Sequence, residues 1–219
     1  MISTRIACLT AGLLFTGFSA AADFSFEGSF SQDDDARHFS FNVGATSNVT
    51  LRSWGYAGGV NAAGQTIARG GFDTNLALFN GIGELIDIND DGGPGNVAAD
   101  SETGQYWDAF LQVTLAPGDY LASLTQYDNF ANGPDFADGF SRDGEGNFTA
   151  DFGCGAAAFC DISGISPYDQ RSNRWALDIL NVSPVEVSPI PEPETYALLL
   201  AGLGLAGFSA HRRNAENRA

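Results

Sequence analysis

The sequence contains no lysine, and its ten basic residues are all arginine. Because 27 acidic residues stand against them, the formal net charge is −17 at pH 7. So acidic a surface repels phosphate backbones, which argues against a nucleic-acid-binding protein, and it attracts cations. Aspartate far outnumbers glutamate and often neighbours glycine or asparagine, a composition that favours turns and oxygen-rich metal sites over helices.

Histidine is almost as scarce, since the chain has His38 and His211 and no others. No histidine spacing typical of a zinc site occurs. The sequence also lacks the Gly-x-Ser-x-Gly turn that presents the nucleophilic serine of many hydrolases. We therefore predict no catalytic residues and a protein that is not an enzyme. A glycoside hydrolase with two acidic groups stays open, because such a pair leaves no linear signature.

Cysteine is limited to Cys8, Cys154 and Cys160. Cys8 belongs to an N-terminal segment that we expect to be removed. In an exported chain, the pair Cys154 and Cys160 predicts a disulfide that closes the short loop 155–159. The alternative is a redox pair, which prefers Cys-x-x-Cys spacing at a helix N-terminus.

Residues 1–22 have the pattern of a secretory signal peptide. Arg5 supplies the positive n-region, Ile6–Phe18 forms the apolar h-region, and Ala20–Ala22 is a small-residue cleavage site before Asp23. The pattern predicts export through the inner membrane.

The C-terminal tail has three elements in a fixed order. A Pro/Glu spacer at 184–194 contains Pro191-Glu192-Pro193, the uncharged run Tyr196–Ala210 follows, and His211-Arg212-Arg213 closes it. This order resembles the PEP-CTERM sorting signal of Gram-negative bacteria. The resemblance implies transient insertion of the 195–219 tail in the inner membrane, removal by an exosortase-type membrane protease, and delivery to the envelope, cell surface or extracellular matrix. An unprocessed anchor is the alternative, although 15 apolar residues fall slightly short of the ~17–25 that span a bilayer.

Between these ends, residues 23–183 predict one all-β domain. Phe39, Phe41 and Val43 alternate with polar residues, as in a strand with one buried face. Asn80-Gly81 is a strong hairpin-turn dipeptide. Short strands separated by turns, with longer loops at 55–71 and 128–165, predict an antiparallel β-sandwich.

Several motifs within this domain resemble the bacterial pre-peptidase C-terminal domains. They are Phe72-Asp73-Thr74-Asn75-Leu76-Ala77-Leu78-Phe79, then Asn89-Asp90-Asp91, then Ala116-Pro117-Gly118-Asp119-Tyr120. The resemblance covers about residues 36–182 and implies a jelly-roll-like β-sandwich of the kind found as accessory modules on secreted enzymes.

An acidic turn gives the best candidate for a bound ion. Six oxygen-bearing residues lie on it or at strand ends expected near it: Asp73, Asp87, Asn89, Asp90, Asp91 and Asp108. Ca²⁺ takes six to eight oxygen ligands, which such a turn supplies in part. The second resemblance adds weight, since related domains in secreted collagenases carry Ca²⁺. The alternative is a solvated acidic turn with no metal.

Aromatic residues in loops offer a different kind of site. Tyr56, Trp107 and Phe130 are candidates for stacking on sugar rings, and packing at the edge of the core is the alternative. We predict a non-enzymatic surface or matrix protein associated with exopolysaccharide. A carbohydrate-binding module for exopolysaccharide and a secreted glycan hydrolase are the alternatives.

Overall fold

The computed structural model describes residues 22–152, 154, 157–161, 170–182 and 188–189. Eleven strands lie in these ranges: β1 (Ala22–Ser29), β2 (Arg37–Val43), β3 (Ser47–Ser53), β4 (Gly59–Val60), β5 (Thr66–Ile67), β6 (Thr74–Asn80), β7 (Leu85–Asn89), β8 (Phe110–Leu115), β9 (Gly118–Gln126), β10 (Arg174–Val182) and β11 (Ser188–Pro189). Two short 3₁₀ helices, Phe136–Asp138 and Phe148–Phe152, are the helical elements of the described part.

The main strands form two antiparallel sheets, consistent with the predicted β-sandwich. Sheet A has the order β1-β10-β3-β8, and sheet B has the order β11-β2-β9-β6-β7. All pairings within both sheets are antiparallel. The predicted loop at 55–71 also contains a small hairpin, β4–β5, in which Gly59 pairs with Ile67.

The core lies between the two sheets and is built largely from aromatic and aliphatic side chains. Phe39, Phe41 and Val43 of β2 are buried, which confirms the predicted inward face of that strand. The ring of Phe39 meets Trp175 of β10 edge to face at 5.8 Å, so the contact joins the two sheets. Burying a large apolar side chain contributes roughly 1.5–3 kcal/mol, and this layer therefore accounts for much of the stability.

One glycine is needed for this packing. Gly28 of β1 lies opposite Trp175, and a Cβ at residue 28 would stand 2.4 Å from the indole ring. Any other residue there would push the indole out of its place in the core.

The long segment after β9 folds back onto the outer face of sheet B. Leu85 donates its N–H to the carbonyl of Pro134 at 2.6 Å, and Phe136 donates to Gly83 at 2.7 Å. The Phe136 ring packs edge to face on buried Phe79 at 5.4 Å. Sheet B is thus covered on both faces in this region.

Candidate functional site

The acidic turn lies at the end of sheet B where β6, β7 and β9 meet. The Tyr127 N–H donates to the carbonyl of Asp73 at 2.9 Å, directly after β9. The pKa of Tyr127 is raised by burial and then by the negative charges of Asp90, Asp128, Asp73 and Asp91. The negative charges of Asp73, Asp90 and Asp91 therefore all act on one tyrosine at this end of the sheet, and their common ion site stays a prediction.

The ionised form of Asp91 is disfavoured in this position. Partial desolvation, and after it the neighbouring charge of Asp90, raise the pKa of Asp91 to about 6. Ionising both carboxylates side by side is unfavourable in the absence of a cation.

The other three predicted ligands have different roles. Asp108 is buried, and its oxygens accept from Ser53 Oγ at 2.9 Å, the Tyr56 N–H at 3.0 Å and the Ala57 N–H at 2.9 Å. This carboxylate pins the start of the 55–71 loop, and its burial raises its pKa.

Asn89 of β7 links the two sheets, because its Oδ1 accepts the N–H of Phe110 in β8 at 2.8 Å. Its Nδ2 donates to the Asp91 carbonyl at 3.1 Å, within the acidic turn. Asp87 is exposed, and its Oδ1 accepts the N–H of Ile88 at 2.9 Å. In the part of the chain that the structure describes, no group of three or more His, Cys, Asp or Glu side chains is arranged to hold a metal ion. The six predicted residues therefore do not fit a single ready-made calcium cage, and the calcium site stays a prediction.

Tyr56 does not present the exposed ring that sugar stacking requires, which corrects that expectation. It is fully buried, the Arg171 guanidinium lies 3.8 Å from its ring centroid, and its hydroxyl donates to Asp161 Oδ2 at 2.9 Å. Burial raises its pKa far above the ordinary value. The ring is enclosed because it forms the centre of a polar network under the loop.

Trp107 and Phe130 are both half-buried. Trp107 packs on Tyr56 with ring centroids 5.3 Å apart, and Phe130 meets Tyr127 edge to face at 5.7 Å. Both contacts fit edge packing, and a sugar-binding role for these two rings stays a prediction.

A buried ionic network around Asp100 was not predicted. The Asp100 side chain is fully buried and accepts from Arg69 Nε at 2.5 Å and Arg69 Nη2 at 3.0 Å, and Arg171 lies 3.5 Å away. Burial alone would raise the pKa of Asp100, but the hydrogen bonds from Arg69, Thr103 and Glu102 lower it to about 2. Nothing in the sequence distinguishes this aspartate from the solvated ones.

The carboxylates of the Asp33-Asp34-Asp35 turn accept hydrogen bonds from the long 128–165 loop. Asp33 is buried and accepts from the N–H and hydroxyl of Thr149 and from the N–H of Phe159 at 2.9 Å. Asp34 Oδ2 accepts from the N–H of Gly146 at 2.8 Å. The turn therefore clamps the end of the long loop, which carries the predicted disulfide.

The predicted disulfide is present. Cys154 and Cys160 are bonded, with their Cα atoms 5.6 Å apart. Cys160 is buried, and its N–H donates to Thr149 Oγ1 at 2.9 Å, so the bridge is integrated with the Asp33 clamp.

His38 occupies a closed position on the outer face of sheet B. Its Nδ1 lies 2.9 Å from Ser123 Oγ, and its ring packs against Phe136 at 5.0 Å and Phe140 at 5.8 Å. Burial, with a smaller contribution from the Arg37 charge, lowers the pKa of His38 to about 4. This histidine is neutral at physiological pH, and Ser123 beside it is buried away from solvent.

The predicted signal peptide, Pro191-Glu192-Pro193 and the apolar run lie outside the described residues. Within the described ranges, no helix is both long and apolar enough to cross a membrane. Strand β11 belongs to the predicted spacer, and its residues Ser188 and Pro189 pair with Ser40 and Phe39 of β2. In the sequence, the Pro191-Glu192-Pro193 motif begins two residues after Pro189.

The tail is also where the chain resembles a known family. A comparison with the curated proteins finds no match. Residues 189–213 match the family model of the PEP-CTERM protein-sorting motif, and this motif implies an exported protein that an exosortase processes and that is sorted to the cell surface.

Proposed function

We propose that this chain is a non-enzymatic protein of the cell surface or extracellular matrix, associated with exopolysaccharide. The observation that carries the proposal is the sorting motif at 189–213, joined to a folded, strongly acidic β domain. The motif supplies the destination, and the domain is the part that would act there.

A role without catalysis is supported by the state of the polar side chains. His38 is neutral and covered by two phenylalanines, and its hydroxyl partner Ser123 is buried. Asp33, Asp100 and Asp108 are buried and receive hydrogen bonds from the backbone of surrounding loops. Carboxylates used in this way stabilise loops and are not available to a substrate.

Two finer points of the fold belong to the same proposal. The sheet orders are compatible with a jelly-roll-like sandwich, and we infer a relation to the pre-peptidase C-terminal domains from the motifs at 72–79, 89–91 and 116–120. Such domains serve as accessory modules, in agreement with a binding or matrix role.

We also propose that Ca²⁺ stabilises the acidic turn through Asp73, Asp90 and Asp91. The support is the position of these residues, since the start of β6 lies beside the end of β7, together with the pKa of Asp91, which partial burial and then the charge of Asp90 raise. A nearby cation would favour the ionised form of Asp91. Calorimetric titration of chelator-treated protein with Ca²⁺ should give heat and a higher Tm at pH 7.5. Binding should weaken at pH 5, where protons compete for Asp91. Absence of both heat and a Tm rise at pH 7.5 would refute the calcium proposal.

Cell fractionation tests the main proposal. The complete chain should be found at the cell surface or in the matrix, and a chain lacking residues 196–219 should enter the medium still folded. Circular dichroism of the released protein checks its fold. Retention of the truncated chain in the envelope would contradict tail-dependent sorting. A reducing-sugar assay across polysaccharides addresses the hydrolase alternative, and sustained product release would overturn the non-enzymatic role.

A further inference from the structure

A groove of about 540 Å³ lies on the outer face of sheet B, at the opposite end of the sheet from the acidic turn. Leu121 forms its floor, between Ser40 of β2 and Phe79 of β6. Ile82, in the β6–β7 turn, forms one wall, and Phe136 forms the other. Its volume lies within the range of ligand-binding clefts, ~300–1,000 Å³.

The walls of this groove are held in place by the fold. The Phe136 N–H donates to the Gly83 carbonyl at 2.7 Å, which joins the two walls directly. Asn80 stabilises the turn, since its Oδ1 accepts from the Ile82 N–H at 3.1 Å and the Glu84 N–H at 2.9 Å. A ligand would therefore meet a preformed surface and would pay little for ordering it.

The groove combines apolar walls with one paired polar group. Asn42 Nδ2 donates to Asp119 Oδ1 at 2.8 Å, and these side chains present a donor and an acceptor side by side at the surface. Ile82 is 82% exposed, the most exposed of the large apolar side chains among the described residues. A ligand with an apolar face that packed on Ile82 would remove this side chain from water.

The groove overlaps a second depression at the β6–β7 turn. The second depression has a volume of about 430 Å³, and five of its six lining residues also line the groove: Asn80, Gly81, Ile82, Asp119 and Tyr120. Gly81 makes this junction possible, since a Cβ there would lie 2.9 Å from the Asp119 carbonyl oxygen.

We propose that this groove binds an uncharged polysaccharide chain. The inference rests on the proposed function, and it names the ligand class and the site. Pyranose rings have apolar C–H faces that would pack on Ile82, Phe136 and Leu121, and their hydroxyls would pair with Asn42 and Asp119. Among the residues that the structure describes, no lysine, arginine or histidine lines either depression, and the net charge of −17 disfavours acidic polysaccharides.

An extended peptide fits this surface less well. A peptide would add to the free edge of a sheet by backbone hydrogen bonds. The edge of β2 beside the groove already pairs with β11 at Phe39 and Ser40. The available surface therefore offers side-chain contacts, which sugars use.

Affinity electrophoresis and calorimetry with the full chain in mild detergent test the proposal. The probes are laminarin, dextran and galactomannan, with alginate as the acidic comparison. The wild type should bind at least one neutral polymer and bind alginate more weakly. The Ile82→Ser and Asp119→Ala variants should each raise Kd about tenfold or more, which corresponds to ~1.4 kcal/mol. The matched control is Val60→Ser, which alters another exposed side chain, on the β4–β5 hairpin.

Lack of binding to all three neutral polymers would overturn the proposal. It would also be overturned by unchanged binding in both groove variants, by an equal loss in Val60→Ser, or by Ile82-dependent dimers in sedimentation without sugar binding. Fractionation of cells that express the same variants keeps the two proposals separate. Normal surface sorting without sugar binding would refute the groove alone, and sugar binding without sorting would refute the proposed function.

Discussion

Replacing His38 with asparagine should remove a specific part of the pH dependence of folding. His38 has a pKa of about 4 in the folded chain, compared with 6.5 for an unperturbed histidine. The unfolded state therefore takes up the proton first as the pH falls. The stability that neutral His38 contributes is complete above pH 6.5 and is lost between pH 6.5 and 4.

The magnitude follows from the size of this shift. At pH 7.5 both states are essentially neutral at His38, and the linkage costs about 0.1 kcal/mol or less. At pH 5 the unfolded state is mostly protonated and the folded state is not, which lowers the free energy of unfolding by about 2 kcal/mol. Asparagine can place a polar atom near the position of Nδ1 and preserve the contact with Ser123, but it does not titrate.

Urea denaturation followed by tryptophan fluorescence at pH 7.5, 6 and 5 measures the effect. The difference in unfolding free energy between His38→Asn and the wild type should move by about 2 kcal/mol in favour of the variant between pH 7.5 and 5. This difference isolates His38, because Asp91 and Asp100 titrate in both proteins. Parallel pH profiles for the two proteins would refute the reasoning.

Three further predictions concern the loop clamp and the tail. Asp33→Ala removes the acceptor of three buried hydrogen bonds and should lower the free energy of unfolding, measured in urea, by about 3 kcal/mol or more. Asp35→Ala, at a more accessible site, should lower it by about 1 kcal/mol. Equal losses in the two variants would argue against the clamp. Reducing the Cys154–Cys160 bond should lower stability by about 2 kcal/mol, since the loop it closes is short, and a loss of the whole fold would contradict this value. Ser40→Cys combined with Ser188→Cys, at cross-strand partners of β2 and β11, should form a disulfide. We expect this bond to fix the spacer to the sheet and so to slow removal of the tail in cells. Unchanged processing of the oxidised form would show that attachment of the spacer does not limit the protease.

The aspartates show most clearly where prediction from the sequence ended. Asp73 was expected toward the same end of the sheet as Asp90 and Asp91, and the antiparallel pairing of β6 with β7 places the start of β6 beside the end of β7. Asp108 was assigned to the same set, yet its side chain is buried and hydrogen-bonded to the loop that follows β3. The local sequence identifies a carboxylate whose oxygens can act as ligands or acceptors. It does not say whether a cation, water or a backbone N–H binds them.

The sequence by itself determined the class of fold and the destination of this protein. Period-2 alternation, turn dipeptides and the ordered elements of the tail are local patterns, and local patterns can be recognised without knowledge of contacts. The tertiary structure decided which aspartates are buried, why Tyr56 is enclosed, and that Ile82, Leu121 and Phe136 border one groove. Those outcomes depend on which strands pair and which loop covers them, and residues far apart in the chain supply the partners.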